Sequence, residues 1–378
     1  MRKAALAIAV LLAASPAFAQ LPGGLGKLTK AKETADKVQG LKVSEADERK
    51  IGEEVSLKVR QEFGVFQDKD VTKYVTLVGS VLAQASARPD LKWEFIVLDT
   101  DGVNAFAAPG GIVHITRGAL GLIKSEAELA CVLAHEVSHI SKKHTVNSIQ
   151  KNNTIKLGTD VTVGSREYIS ALTNAAYDNI VEKGFDRGDE DDADQEGVRL
   201  ANKVGYNPAG LTTFLTKLMD RNKGLSDHNG LFASHPDTEA RISKINKQIK
   251  AEKLNAAGLV AARYTGVITF DAKPLSDITN VTAGAKGIAE GSSSSSGAAS
   301  SGDSKGNTEA KKEEPKKKGF SLNPLSKGGQ KESTQASASA GNRAIGDDRH
   351  PTSGGGNPNK LTVTVTPAEI TTFKAGIA

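Results

Sequence analysis

Apolar residues recur at helix or strand spacing only between about residues 44 and 272 of this 378-residue chain, which confines any packed fold to that stretch. Beyond about residue 273 the periodicity stops. Gly284 to Lys360 is dominated by Ser, Gly, Ala and Lys and cannot bury enough apolar surface to offset chain entropy. Residues 273–360 are therefore expected to be a disordered low-complexity linker, and 361–378 a short C-terminal tail in which Leu361–Thr366 has the composition of a short strand. At the other end, Arg2 and Lys3, the apolar run Ala4–Ala14 and Ala17-Phe18-Ala19 before Gln20 have the three-part layout of a signal peptide over residues 1–19. Residues 20–43 read as a lead-in. No later stretch approaches the roughly 18 apolar residues of a membrane span, so the mature chain is expected to be exported and soluble.

The single cysteine, Cys131, excludes an internal disulfide, and stability has to come from a packed core. Of the net charge of +5, most belongs to the linker, where residues 285–360 carry twelve Lys/Arg against eight Asp/Glu. The folded stretch is left near neutral. Nucleic-acid binding requires basic residues gathered on a folded face, so it is not expected here.

Within 44–272 the pattern predicts a mainly helical α+β fold. Ser44 and Asp47 mark a helix start followed by Ile51, Val55 and Val59, ending near Gly64; a second helix covers Val71 to Ala85. Trp93 to Asp99 has the content of a buried strand, and Pro109-Gly110-Gly111 turns the chain between extended pieces at 103–107 and 112–116, predicting a small, largely antiparallel sheet. Ser125 with Glu128 opens a helix running to about Ser148, and further helices are expected at 166–182, 188–204 closed by Gly205, 208–221 and 236–252.

His135 and His139 stand four apart on the helix that begins at Ser125, so both imidazoles leave one face about one turn apart. That spacing lets two nitrogens meet one zinc at roughly 2.0–2.1 Å each. Glu136 lies about 60° around the helix from His139, where a carboxylate can take a proton from a metal-bound water without displacing it. Cys131 is one turn earlier, but ligands at i, i+4 and i+8 would spread over roughly 12 Å, so it reads as a small buried apolar residue. His144 projects roughly opposite His135 and reads as a surface histidine; His114, alternating with Val113 and Ile115, reads as a solvent-side strand residue, and His228 and His350 carry no signal. Lys142 and Thr145 stand where an extended zinc motif would need glycine and a third histidine, so the third ligand must come from farther along. The acidic run Asp189–Asp194 offers several candidates, and spacing does not choose among them.

Four motifs in order carry a resemblance: Asn104-Ala105-Phe106-Ala107-Ala108-Pro109-Gly110-Gly111, His135-Glu136-Val137-Ser138-His139, Glu190-Asp191-Asp192-Ala193-Asp194, and Ser234-His235-Pro236 with Arg241. Together they resemble metallopeptidase family 48, the gluzincins of the CaaX prenyl protease, HtpX and BepA type, over residues 44–250. Phe185-Asp186-Arg187-Gly188 departs from the family's usual Ser-Arg lead, although Arg187 is retained. The resemblance implies a zincin-like domain with one Zn2+ per chain, Glu190 as third ligand and Asp194 hydrogen-bonded to a ligand imidazole. It also implies the soluble periplasmic branch. His235 either caps the helix it precedes or approaches the cleft, to bond a tetrahedral oxyanion or fill the open metal position at rest.

A zinc-dependent endopeptidase with Glu136 as general base follows as the expectation, its substrates unfolded or misassembled envelope polypeptides. Substrate would run along Asn104, Gly110, Gly111 and Ile112, with Ile112–Thr116 as the sheet edge that pairs with it. The competing expectation is a periplasmic chaperone or assembly factor with minor proteolysis, using the C-terminal tail as a docking arm. A structural zinc site is disfavoured because such sites are closed by four ligands, usually rich in Cys.

Overall fold

The computed structural model describes residues 43–153, 165–223, 235, 238–274 and 357–377. The leader, all of the lead-in but its last residue, and most of the low-complexity linker lie outside the described residues, as do His228 and His350. Helices α1 (Glu45–Phe63) and α2 (Lys69–Ala85) precede strands β1 (Glu94–Leu98), β2 (Ala105–Ala108) and β3 (Ile112–Thr116). They are followed by α3 (Arg117–Leu122), α4 (Glu126–Ser141), α5 (His144–Asn153), α6 (Arg166–Tyr177) and a π-helical turn, Asp178–Lys183. The last elements are α7 (Arg187–Val204), α8 (Gly210–Arg221), α9 (Thr238–Ala251), α10 (Ala261–Val267) and α11 (Pro367–Ala375). None of the described helices is long and apolar enough to cross a membrane.

The caps explain the boundaries. Ser44 accepts from the Asp47 amide at the start of α1, and Gly64 closes that helix at φ 73°. Gly205 closes α7 at φ 108° in the left-handed conformation. Helix α4 ends earlier than its apolar pattern predicts: Lys143, at φ 60°, breaks the run after Ser141, and α5 starts anew at His144.

The sheet is small and mixed, in the order β1-β3-β2. The β2–β3 hairpin is antiparallel as expected, and β1 adds parallel to β3. Ile112 therefore faces Glu94 on one side and Ala108 on the other, which corrects the expectation that Ile112–Thr116 forms an edge. The outer side of β1 is covered by Val65 and Phe66, whose amide donates to Val97 O at 2.9 Å. On its outer side β2 pairs with no further strand among the described residues and packs toward the π-helical turn.

Alternate strand residues feed two cores. Phe95, Val97, Val113 and Ile115 join α2, α4, α7 and α8, whereas Ile96, Leu98, Phe106 and Ile112 join α1 and α6. With both faces covered, every residue of β3 is buried, and so is His114, with no exposure. This corrects its reading as solvent-side. Alternation places His114 on the second face, but α1 roofs that face, and Ser56 Oγ lies 2.9 Å from His114 Nε2. Burial pushes this imidazole down to about 3, so it stays neutral.

Residues 357–377 return to the domain, and Leu361–Thr366 forms no strand. A capping box of Thr366 and Glu369 instead starts α11. Ile370 and Ile377 are buried in the first core, with Phe373 edge-on to Tyr74. Val65 N donates to Asn357 O at 2.7 Å, and Lys360 and Lys73 pair with Glu94 and Glu369 at 2.6 and 2.7 Å.

Candidate metal centre

Helix α4 runs through the middle of the molecule, buried from Glu126 to Ile140. Its first turn is held by a buried carboxylate: Glu126 accepts from Tyr74 Oη and Tyr206 Oη at 2.6 Å each and from Arg263 Nε at 2.6 Å. An anion at a helix N-terminus is also favoured by the helix dipole. The Arg263 guanidinium lies 4.0 Å from the Phe373 ring centroid, so α11 caps this cluster. Cys131 is fully buried, its thiol pushed up to about 12 by burial, as suits a packing residue.

Helix α7 crosses α4 closely because Gly197 opposes His135: a Cβ there would sit 3.0 Å from the His135 amide nitrogen. The approach carries Glu190 and Asp194, one turn apart on α7, to the two histidines. His139 Nε2 is 3.0 Å from His135 Nε2 and 3.4 Å from Glu190 Oε1, and His135 Nε2 is 3.6 Å from Glu190 Oε2. His235 Nδ1 lies 2.7 Å from Glu190 Oε1 and 3.3 Å from His135 Nε2. One donor atom from each of His135, His139, Glu190 and His235 falls within 4.8 Å of every other. Tetrahedral donors about 2.0–2.1 Å from a zinc are separated by roughly 3.4 Å, so the set fits one ion.

Around these donors the charges are fixed by neighbours. Asp194 Oδ1 is 2.9 Å from His135 Nδ1, and Arg241 clamps Asp194 with Nε and Nη2 at 2.7 Å each while its Nη1 lies 2.9 Å from Glu190 Oε2. Burial opposes ionisation of Glu190, but His235 and Arg241 hold its carboxyl well below the usual range; Arg241 likewise holds Asp194, against burial, at about 2. Burial keeps His139 well below the ordinary imidazole value and hence neutral. Two carboxylates and a neutral imidazole are the protonation states a divalent cation requires. Glu136 is 1 % exposed and raised by burial, against the pull of His235 and His135; its Oε2 has no hydrogen-bond partner among the described residues.

His144 and Phe185 were not anticipated. His144 is 4 % exposed, not a surface residue, with Nδ1 2.9 Å from His139 Nδ1 and Nε2 3.3 Å from Asp192 Oδ2. The helix break at Lys143 is the reason, because a helical wheel drawn across it places His144 on the wrong side. Phe185 stacks on His139, centroids 3.9 Å apart. Arg241 was visible only as part of a motif. His235 lies in the cleft; its neighbours 234, 236 and 237 are outside the described residues, so the expected cap is not tested.

The residues expected to line the substrate path lie on the turn end of the sheet and at the start of β2. Gly110 and Gly111 adopt φ 72° and 98° in the hairpin turn, and a Cβ on Gly110 would sit 2.7 Å from Arg49 Cα. The Gly110 amide donates to Glu48 Oε1 and its carbonyl accepts from Arg49 Nη1 at 3.0 Å. Asn104 is 2 % exposed, with its amide and carbonyl bonded to Thr116. Both glycines make close contacts within the fold.

Residues 69–249 match the model of Peptidase family M48. The chain is 26 % identical over 216 residues to the beta-barrel assembly-enhancing protease of Yersinia pestis, covering 54 % of this chain and 44 % of that protein. It is 29 % identical over 214 residues to the mitochondrial metalloendopeptidase OMA1 of Schizosaccharomyces pombe, covering 54 % and 63 %. To the metalloprotease LoiP of Escherichia coli it is 26 % identical over 158 residues, covering 40 % and 60 %. The chain thus spans about half the length of the curated relatives it matches.

Proposed function

Because the chain carries a domain of Peptidase family M48 over residues 69–249, we propose that it is a zinc-dependent endopeptidase in which His135, His139 and Glu190 hold the metal and Glu136 is the general base. The observation that carries this is the convergence of two imidazoles and one ionised carboxylate beside a buried carboxylate whose Oε2 has no partner among the described residues. Nitrogen and carboxylate donors in a tetrahedral set suit zinc. The chemistry a zinc held there would supply is a lowered pKa for water, toward about 7, and polarisation of a carbonyl. Glu136 would act as the base that accepts the proton of the attacking water and passes it to the leaving amine. Asp194 fixes the His135 tautomer, and Arg241 keeps Asp194 and Glu190 ionised.

Substrate is read as an extended polypeptide recognised through its main chain, since main-chain pairing requires little sequence. That suits unfolded or misassembled chains. The signal-peptide pattern and the names of the bacterial relatives support envelope proteins and a periplasmic site. Metal analysis is the direct test: the wild type is expected to bind one zinc per chain and Glu190→Ala to lose most of it. Unchanged zinc content in Glu190→Ala would remove Glu190 from the ligand set.

A latent resting state is supported by His235, which supplies a fourth donor where catalysis needs an open position. We expect His235→Ala to raise casein hydrolysis by freeing that position. A fall would assign His235 to the oxyanion instead. The same closure favours the second reading, a factor that holds clients and cleaves them seldom.

A further inference from the structure

His139 has two ring nitrogens, and only one can serve an ion. Its Nε2 points into the donor set, 3.0 Å from His135 Nε2 and 3.4 Å from Glu190 Oε1, so that nitrogen must carry the lone pair. The proton then sits on Nδ1, and the partner the structure places there is His144 Nδ1 at 2.9 Å. Both rings are buried. For the contact to be a hydrogen bond, His139 Nδ1–H donates and His144 Nδ1 accepts, which leaves the His144 proton on Nε2, 3.3 Å from Asp192 Oδ2 and 3.8 Å from Asp189 Oδ1.

We propose that His144, itself oriented by Asp192, is a positioning residue that locks His139 in its metal-binding tautomer. The inference rests on the reading of His139 as a ligand. Phe185 stacked on the ring fixes its plane, and His144 fixes which edge faces the donor set. His135 has its own lock in Asp194 and Arg241. The two ligand imidazoles are therefore oriented by different chemistries, a carboxylate for one and a second imidazole for the other. The left-handed Lys143 delivers the second imidazole by restarting the helix at His144.

The test is zinc affinity of the purified full-length mature protein, read by competition with a chelator. His144→Phe fills the ring volume and removes the acceptor; His144→Asn returns an oxygen near the position of Nδ1. His144→Phe is expected to weaken zinc binding about 10–100-fold, and His144→Asn to recover most of it. Zinc binding at the wild-type level in His144→Phe, or equal losses in both variants, overturns the proposal. Glu190→Ala is the control: if it loses zinc while His144→Phe does not, only this inference fails, and if neither loses zinc, the ligand assignment itself fails. Should His144→Phe not fold, nitrogen NMR of the zinc-loaded wild type decides. His139 protonated at Nδ1 with His144 protonated at Nε2 supports the proposal, and His144 protonated at Nδ1 overturns it.

Discussion

Glu136→Gln is expected to lower casein hydrolysis roughly 10²–10⁴-fold while leaving zinc content at the wild-type level. The amide is nearly isosteric with the carboxylate, so the packing of α4 should be kept; what is lost is the ability to accept a proton. Glu136 is buried and raised by that burial, and its Oε2 meets no donor among the described residues, which suits a base that acts on a water. It lies outside the donor set, with Oε1 3.7 Å from His235 Nε2. Wild-type hydrolysis in zinc-loaded Glu136→Gln would exclude Glu136 as the base. Client holding that survives in this variant would favour the assembly-factor reading, and its loss together with hydrolysis would count against it.

Arg241→Met is expected to cost about 3–5 kcal/mol of folding stability, measured by urea denaturation of the zinc-free protein. The guanidinium is 3 % exposed and neutralises two buried carboxylates at once, gripping both oxygens of Asp194 and one of Glu190. Methionine replaces the volume of the stem but leaves these charges uncompensated in the interior. Arg241→Lys is expected to recover only part of the loss, because a point charge cannot form the two-pronged contact with Asp194. A cost below about 1 kcal/mol, the size of an exposed pair, would show that these carboxylates are reached by solvent.

Much of this centre was legible in the chain itself. The caps at Ser44 and Ser125, the helical pairing of His135 with His139 and the displaced Glu136 are local properties, and the structure keeps them. Choosing Glu190 from five neighbouring carboxylates required the family resemblance, because helical spacing cannot tell which turn of α7 meets α4; Gly197, which allows the close crossing, was the overlooked signal. His114 was misplaced since alternation reports a change of face and not whether that face meets water. His144 was misplaced by a left-handed lysine in a Lys-Lys pair with no glycine or proline to announce the break. The interior position of β3 and the docking of α11 depend on partners distant in sequence, for which local pattern has no expression.

The return of α11 gives the molecule an unusual tolerance. Asn357, Lys360 and Glu369 bind Val65, Glu94 and Lys73, and Phe373 lies under Arg263, whose other contacts reach the first turn of α4. A backbone cut anywhere from residue 275 to 356 would therefore detach nothing: the protein would run as two bands once denatured, yet travel as one particle, its last helix still seated against the base of the helix that bears His135 and His139.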